Sequence, residues 1–284
     1  MKKIKILSVL IIASSLVFVY SCKKKTKEVD AETQSVVDNA ICEQEFMQIQ
    51  PTTNNLAIKT KGTSAQRLSG ISALGCDSLT YLSGDTTTLT GFNLTNPPTF
   101  EYNYGLCSLA NTDGVVRTGK LWIRFLGRPK LAGSKTIIKL LNYKVNGTIT
   151  YSCDSIVVTT GSNALASVKD FTVQIIGGVC TGSGWTIKYS STKNISINTN
   201  GTQALSDDVI TVSGTANGTN RNGKDFAVTM NGIQKATNCK WISKGTLEIT
   251  PTDLSTRTVD YGDGTCDDKA TFTVNGQTIA FTLK

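Results

Sequence analysis

From about Leu68 to the C-terminus the chain repeats one local pattern. Short runs rich in Thr, Val, Ile and aromatic residues are broken by Gly, Asn and Asp. Such runs with period-two alternation read as half-buried strands, and the punctuation reads as turns. The clearest strands are Leu121 to Leu126, Lys135 to Val145, Ser155 to Thr160, Phe171 to Ile176, Val209 to Ser213, Phe226 to Met230, Gly245 to Ile249, Ala270 to Val274 and Thr278 to Leu283. Thr suits strands with one wet face, since its branched Cβ favours extended backbone while its hydroxyl tolerates water. Parallel sheets need crossover helices and two covered faces. No helical segments alternate with these strands, so a nucleotide-binding α/β fold is excluded.

Turn chemistry sharpens the expectation. Asn146-Gly147, Asn231-Gly232 and Asn275-Gly276 each fit a two-residue type I′ turn. For the last, arithmetic sets Val274 opposite Gln277, Phe272 opposite Ile279 and Ala270 opposite Phe281. Phe272, Val274, Ile279 and Phe281 then share one apolar face. The fold class read from these features is mainly all-β: a large antiparallel meander sheet, curved or sandwich-like, with one N-terminal amphipathic helix packed on it.

That helix is expected from Glu32 to about Gln48. Val36, Val37, Ala40, Ile41 and Phe46 recur at helical spacing, with Asp38, Glu43 and Glu45 between them. Pro51 and Asn54-Asn55 are expected to end it.

The first residues read as an export signal. Lys2, Lys3 and Lys5 precede an uncharged run from Ile6 to Cys22. The end of that run, Val19-Tyr20-Ser21-Cys22, resembles a bacterial lipoprotein signal, in which a Cys is diacylated and becomes the new N-terminus. The expected organisation is a signal at residues 1–21, a lipidated basic tether at 22–31 and one β-rich domain at 32–284. Acyl burial would make the lipid bilayer the first partner. Lys23, Lys24, Lys25 and Lys27 follow as a solvated basic tether. Without the three lysines of the signal the net charge falls from +8 to +5. The remaining charges are scattered, with no basic stripe interleaved with aromatics, so nucleic acid is not an expected partner.

Composition excludes whole classes of chemistry. With no histidine, a Ser-His-Asp triad, a Cys-His pair and a histidine metal site are all ruled out. Beyond Cys22 seven cysteines remain. The candidate disulfides are Cys239 with Cys266, Cys153 with Cys180 and Cys76 with Cys107. The first is favoured, because a hairpin folded at Pro251-Thr252-Asp253-Leu254 sets its two cysteines opposite each other. Cys42 is left as a buried free thiol. No two of the seven lie close enough for a Cys-x-x-Cys ligand pair.

Two clusters are candidate sites. Asp260, Asp263, Asp267 and Asp268 form the densest carboxylate group, chemistry that suits Ca²⁺, although their spacing is not that of an EF-hand. Turn capping is the competing explanation, and it also applies to Asp207-Asp208. Trp122, Tyr102 and Tyr104 are a candidate ligand platform. Trp122 lies on the strand face opposite Leu121, Ile123 and Phe125, where a sugar, a peptide or the helix could cover it.

Several segments together resemble a family of uncharacterised β-rich lipoproteins from Bacteroidetes-type bacteria. They are Asp38-Asn39-Ala40; Asp113-Gly114 with Arg117-Thr118-Gly119-Lys120; Asn142 to Gly147; Asp207-Asp208 with Ile210 to Gly214; Asn220-Arg221-Asn222-Gly223-Lys224; Trp241 with Gly245; and Val259 to Asp268, followed by Val274-Asn275-Gly276. Family members usually carry Asn at the position of Asp268. The resemblance implies an exported lipoprotein with a broad antiparallel sheet, and it brings no activity or catalytic residue. Lys23-Lys24-Lys25, in place of the acidic residues of surface-exposed members, implies an outer-membrane protein facing the periplasm. The functional expectation is a non-catalytic binding or structural module of the cell envelope. The alternatives are a carbohydrate-binding or glycan-processing lipoprotein and a carrier of lipid or another apolar small molecule.

Overall fold

The computed structural model describes residues 30, 32–59, 77–85, 95–105, 114–129, 131–162, 167–202 and 207–283. Cys22, Cys76, Cys107 and Asp113 lie outside them. One helix, α1 (Gln34–Lys59), precedes fourteen strands. These are β1 (Ser78–Ser83), β2 (Thr99–Asn103), β3 (Arg117–Leu126), β4 (Lys135–Val145), β5 (Ile149–Ser152), β6 (Ser155–Thr160), β7 (Val168–Gly182), β8 (Trp185–Asn198), β9 (Val209–Thr219), β10 (Asp225–Ala236), β11 (Lys244–Pro251), β12 (Arg257–Asp263), β13 (Lys269–Val274) and β14 (Gln277–Thr282). All join one antiparallel sheet in near-sequential order, with β5 and β6 sharing the place between β4 and β7.

The sheet curls around α1. Side chains of β3, β4, β5, β8, β12 and the β9–β10 turn all bond to the helix or the residues just before it. In a flat sheet β3 and β12 would stand about 38 Å apart at ~4.8 Å per strand, whereas a helix is only about 10 Å across. The bending is built into the ladder. Register shifts occur at Thr118/Lys120, Ile175/Gly178, Met230/Ile233 and Lys244/Thr246. A glycine with positive φ sits in each: Gly119, Gly177, Gly232 and Gly245. Bulges of this kind bend a strand and increase its twist.

The turn arithmetic holds for the last hairpin. Val274 pairs with Gln277, Phe272 with Ile279 and Ala270 with Phe281, and Asn275 and Gly276 both have positive φ. Since β14 is an edge strand, the shared apolar face is only half covered: Phe272 is buried while Ile279 is 36% exposed. With Val145 paired to Ile149 its loop has three residues instead of two, but Asn146-Gly147 also turns a hairpin, with positive φ at both positions. Asn231-Gly232 does not. It forms the bulge inside β10, where the inward positions change from Phe226, Val228 and Met230 to Ile233 and Lys235.

The helix departs from expectation in two ways. It runs through Pro51 and Asn54-Asn55 to Lys59. Pro51 removes one backbone donor. The next two residues bond back into the helix: Thr52 Oγ1 donates to the Gln48 carbonyl at 3.0 Å and Thr53 Oγ1 to that of Ile49 at 3.2 Å. Nor is it amphipathic in the expected sense, because Asp38, Glu43 and Glu45 are buried along with Val36, Phe46 and Met47.

Cys239 and Cys266 form a disulfide, with Cα atoms 5.8 Å apart. Cys153 and Cys180 do not; both are free thiols, as is the buried Cys42. Cys153 sits at the bend between β5 and β6, whereas Cys180 pairs with Tyr151 and its thiol faces Cys42 on the helix.

Candidate functional site

The densest concentration of chemistry among the described residues is the contact between α1 and the inner sheet face. Glu43 accepts from Lys193 Nζ at 2.7 Å and from the Tyr189 hydroxyl. Glu43 is 0% and Lys193 1% exposed. One half-turn on, Glu45 accepts a two-pronged contact from Arg117, Nε at 2.8 Å and Nη2 at 3.0 Å, together with the Tyr143 hydroxyl. Asp38 takes Arg221 Nε and the Arg221 backbone N–H, both at 2.8 Å. The Arg221 guanidinium also lies 4.3 Å from the centre of the Trp185 ring. Ahead of the helix, Arg257 bonds Asp30 and lies 3.5 Å from Glu32.

Each helix carboxylate therefore meets a cation supplied by a distant strand or turn. Taking such charges out of water is expensive unless they are paired and hydrogen-bonded. Two tyrosines complete the pairing, and burial first and the adjacent carboxylates second raise the pKa of Tyr143 and Tyr189 well above the usual range. Burial raises Tyr104 to about 12. Asn39, one turn before Glu43, is fully buried and its side-chain amide has no protein partner.

Segments far apart in the sequence meet here. Asp38 bonds Arg221 of the Asn220-to-Lys224 segment, and Glu45 joins Arg117 to Tyr143 of the Asn142-to-Gly147 segment. Sequence reasoning missed the network because its partners are 72 to 227 residues apart. A signal was present in β8: Lys193 is in phase with the inward Ile187, Tyr189 and Ile195.

The acidic cluster behaves differently. Asp260 Oδ1 accepts from Gly262 N, Asp263 Oδ1 from Thr265 N and Oγ1, and Asp267 Oδ1 from Lys269 N, at 2.8 to 3.0 Å. The Asp268 carbonyl accepts from Leu283 N at 2.8 Å. The side-chain contacts of Asp260, Asp263 and Asp267 are local turn closures, each reaching two residues along the chain. Among the described residues no group of three carboxylates or thiols is arranged to hold a metal ion. Asp207 bonds Thr202 in its own loop, and Asp208 is buried, which raises its pKa.

The three aromatic candidates do not form one platform. Tyr102 pairs with Leu121 on the inner face, where its hydroxyl donates to Asp77 at 2.7 Å. Tyr104 is buried against the rings of Tyr102 and Tyr143. Trp122 lies on the outer face, between Glu101 and Lys139, with the Lys139 ammonium 5.7 Å from its ring centre.

Among the described residues no helix is long and apolar enough to cross a membrane. No family model, curated protein or solved structure matches the chain.

Proposed function

We propose that the chain is a non-catalytic module of the bacterial cell envelope, anchored in the outer membrane through acylated Cys22 and facing the periplasm. One observation carries the reading: the interior of the curled sheet is filled by a helix whose carboxylates are each neutralised by a sheet cation. A general acid or base has to reach a substrate proton, and these groups are spent on one another. An apolar-ligand carrier is less well supported, since such a site is a concave apolar cavity and here α1 occupies the concave side. A glycan-processing site is less well supported too, because Asp260 and Asp263 each close their own turn and no aromatic is shared between them. The outer face of the sheet is then the working surface.

The test is metabolic labelling with a radioactive fatty acid, followed by fractionation. The wild-type chain should carry label and sediment with membranes, and Cys22→Ala should lose both. A labelled, membrane-bound Cys22→Ala variant would overturn the anchor. Turnover of a polysaccharide that vanishes in Asp208→Asn or Asp263→Asn would overturn the non-catalytic reading.

A further inference from the structure

The outer sheet face is divided in two. From β8 onward one row of outward, directly paired residues reads Thr192, Thr215, Thr229, Glu248, Thr258, Thr273 and Thr278. On β3 and β4 the outward pairs read Lys120 with Leu141, Trp122 with Lys139, Arg124 with Ile137 and Leu126 with Lys135. Each pair joins one cation to one apolar side chain, and the cation changes strand at every step. The apolar character continues onto β6 and β7 through Val157 and the 45% exposed Ile176. Of the six large exposed apolar residues described, Leu141, Val168 and Ile176 lie on strands of this half, while Leu82 sits at the irregularity of β1 and Leu131 in the β3–β4 loop. Glu101 is engaged by Lys120 at 2.8 Å, and among the described residues Arg124, Lys135 and Lys139 have no carboxylate salt-bridge partner.

We propose that this half of the outer face docks on an anionic phospholipid surface. The charge complementarity is direct: three uncompensated cations face outward from one stripe. Lysine and arginine stems lie along apolar neighbours and carry their heads beyond them. The stripe thus presents ammonium and guanidinium groups at phosphate level with Trp122, Ile137, Leu141 and Ile176 between them, the layering of a headgroup interface. An ordinary solvated face would continue the hydroxyl row across the whole sheet instead of concentrating apolar side chains in one half. The inference relies on the anchoring proposal only for bringing the chain to a bilayer. The label on Cys22 and the footprint below can fail independently.

The experiment is lysine acetylation followed by mass spectrometry, on the full chain attached to vesicles of phosphatidylcholine alone or with one third phosphatidylglycerol. A nickel-chelating lipid in both vesicles holds the chain through a C-terminal hexahistidine tag, so their difference reports the face whether or not Cys22 is acylated. Lys135 and Lys139 should react about tenfold more slowly on the anionic vesicles. Lys188, outward on the hydroxyl-rich half, should react alike on both. High salt should abolish the difference. Lys144, the next outward lysine on β4, should be protected in the same way, and in the double variant Lys135→Gln/Lys139→Gln, whose exposed sites do not threaten folding, that protection should disappear. Equal reactivity of Lys135 and Lys139 on the two vesicles, protection on both, or equal protection of Lys188 would overturn the proposal. Protection by an added protein fraction and not by lipid would also overturn it, in favour of a protein partner.

Discussion

Replacing Lys193 by Met removes the one ammonium that neutralises Glu43 and leaves a chain of similar length in its place. Neither side chain is more than 1% exposed, so water cannot take over the lost interaction. Leaving one partner of a buried pair uncompensated costs about 3–5 kcal/mol, a large share of the roughly 5–15 kcal/mol that holds a domain together. The Tyr189 hydroxyl still donates to Glu43, which places the cost toward the lower end. The logic requires a second result. The triple variant Glu43→Met/Tyr189→Phe/Lys193→Met strands neither partner of this charge pair nor the hydroxyl bonded to it, and its stability should lie within about 1 kcal/mol of wild type. Urea unfolding followed by tryptophan fluorescence measures both, provided the slope with denaturant stays constant. A loss below 1 kcal/mol for Lys193→Met would refute the encased charge pair. A triple variant as unstable as the single one would refute the claim that the stranded charge is what costs.

Alkaline pH should unfold the protein cooperatively. Tyr102, Tyr104, Tyr143, Tyr151, Tyr189 and Tyr261 all have pKa values raised mainly by burial. The unfolded chain therefore loses tyrosine protons first, near pH 10, and stability falls as pH rises from there through the folded values. Tyrosinate absorbance at 295 nm should rise in one step together with loss of the sheet signal in circular dichroism. Reducing Cys239–Cys266, which closes a separation of 27 residues, should cost about 3 kcal/mol, read as a lower urea midpoint in dithiothreitol. Burial raises the Cys153 thiol to about 11, so its alkylation in the folded protein should be slow at pH 8 and accelerate toward pH 11. Gly119→Ala sets a Cβ against the Asn142 carbonyl at a positive φ; it should cost more than about 1 kcal/mol and show as a lower melting temperature.

The sequence was most informative where a local rule acts alone. The β13–β14 register follows from Asn275-Gly276, because a two-residue loop leaves a single pairing. The Cys239–Cys266 bridge follows from a chain reversal near Pro251-to-Leu254, which brings the start of β11 back beside the end of β12. Asn231-Gly232 misled because a bulge and a hairpin use the same dipeptide. The evidence for a bulge lay outside it, in the change of inward phase from Met230 to Ile233. The strands β8 and β12 escaped notice because polar residues fill inward positions: Ser191 and Lys193 in one, Arg257 in the other. Those same residues make the polar core, so strand detection and site detection failed together. The helix carboxylates gave no local sign of burial, since their cations lie in distant strands or turns.

The helix leaves the ribosome before any strand that will hold it. Arg257, which fastens Asp30, is 227 positions downstream, and Lys193 trails Glu43 by 150. Until those residues arrive, the three acids must stay in water, and the hydrophobic side of the helix has nothing to lie against. Maturation is therefore gated by completion of the polypeptide. A copy cut short after β11 would have an unlatched N-terminus, recognisable to a protease, and quality control would need to read only whether the last clasp had closed.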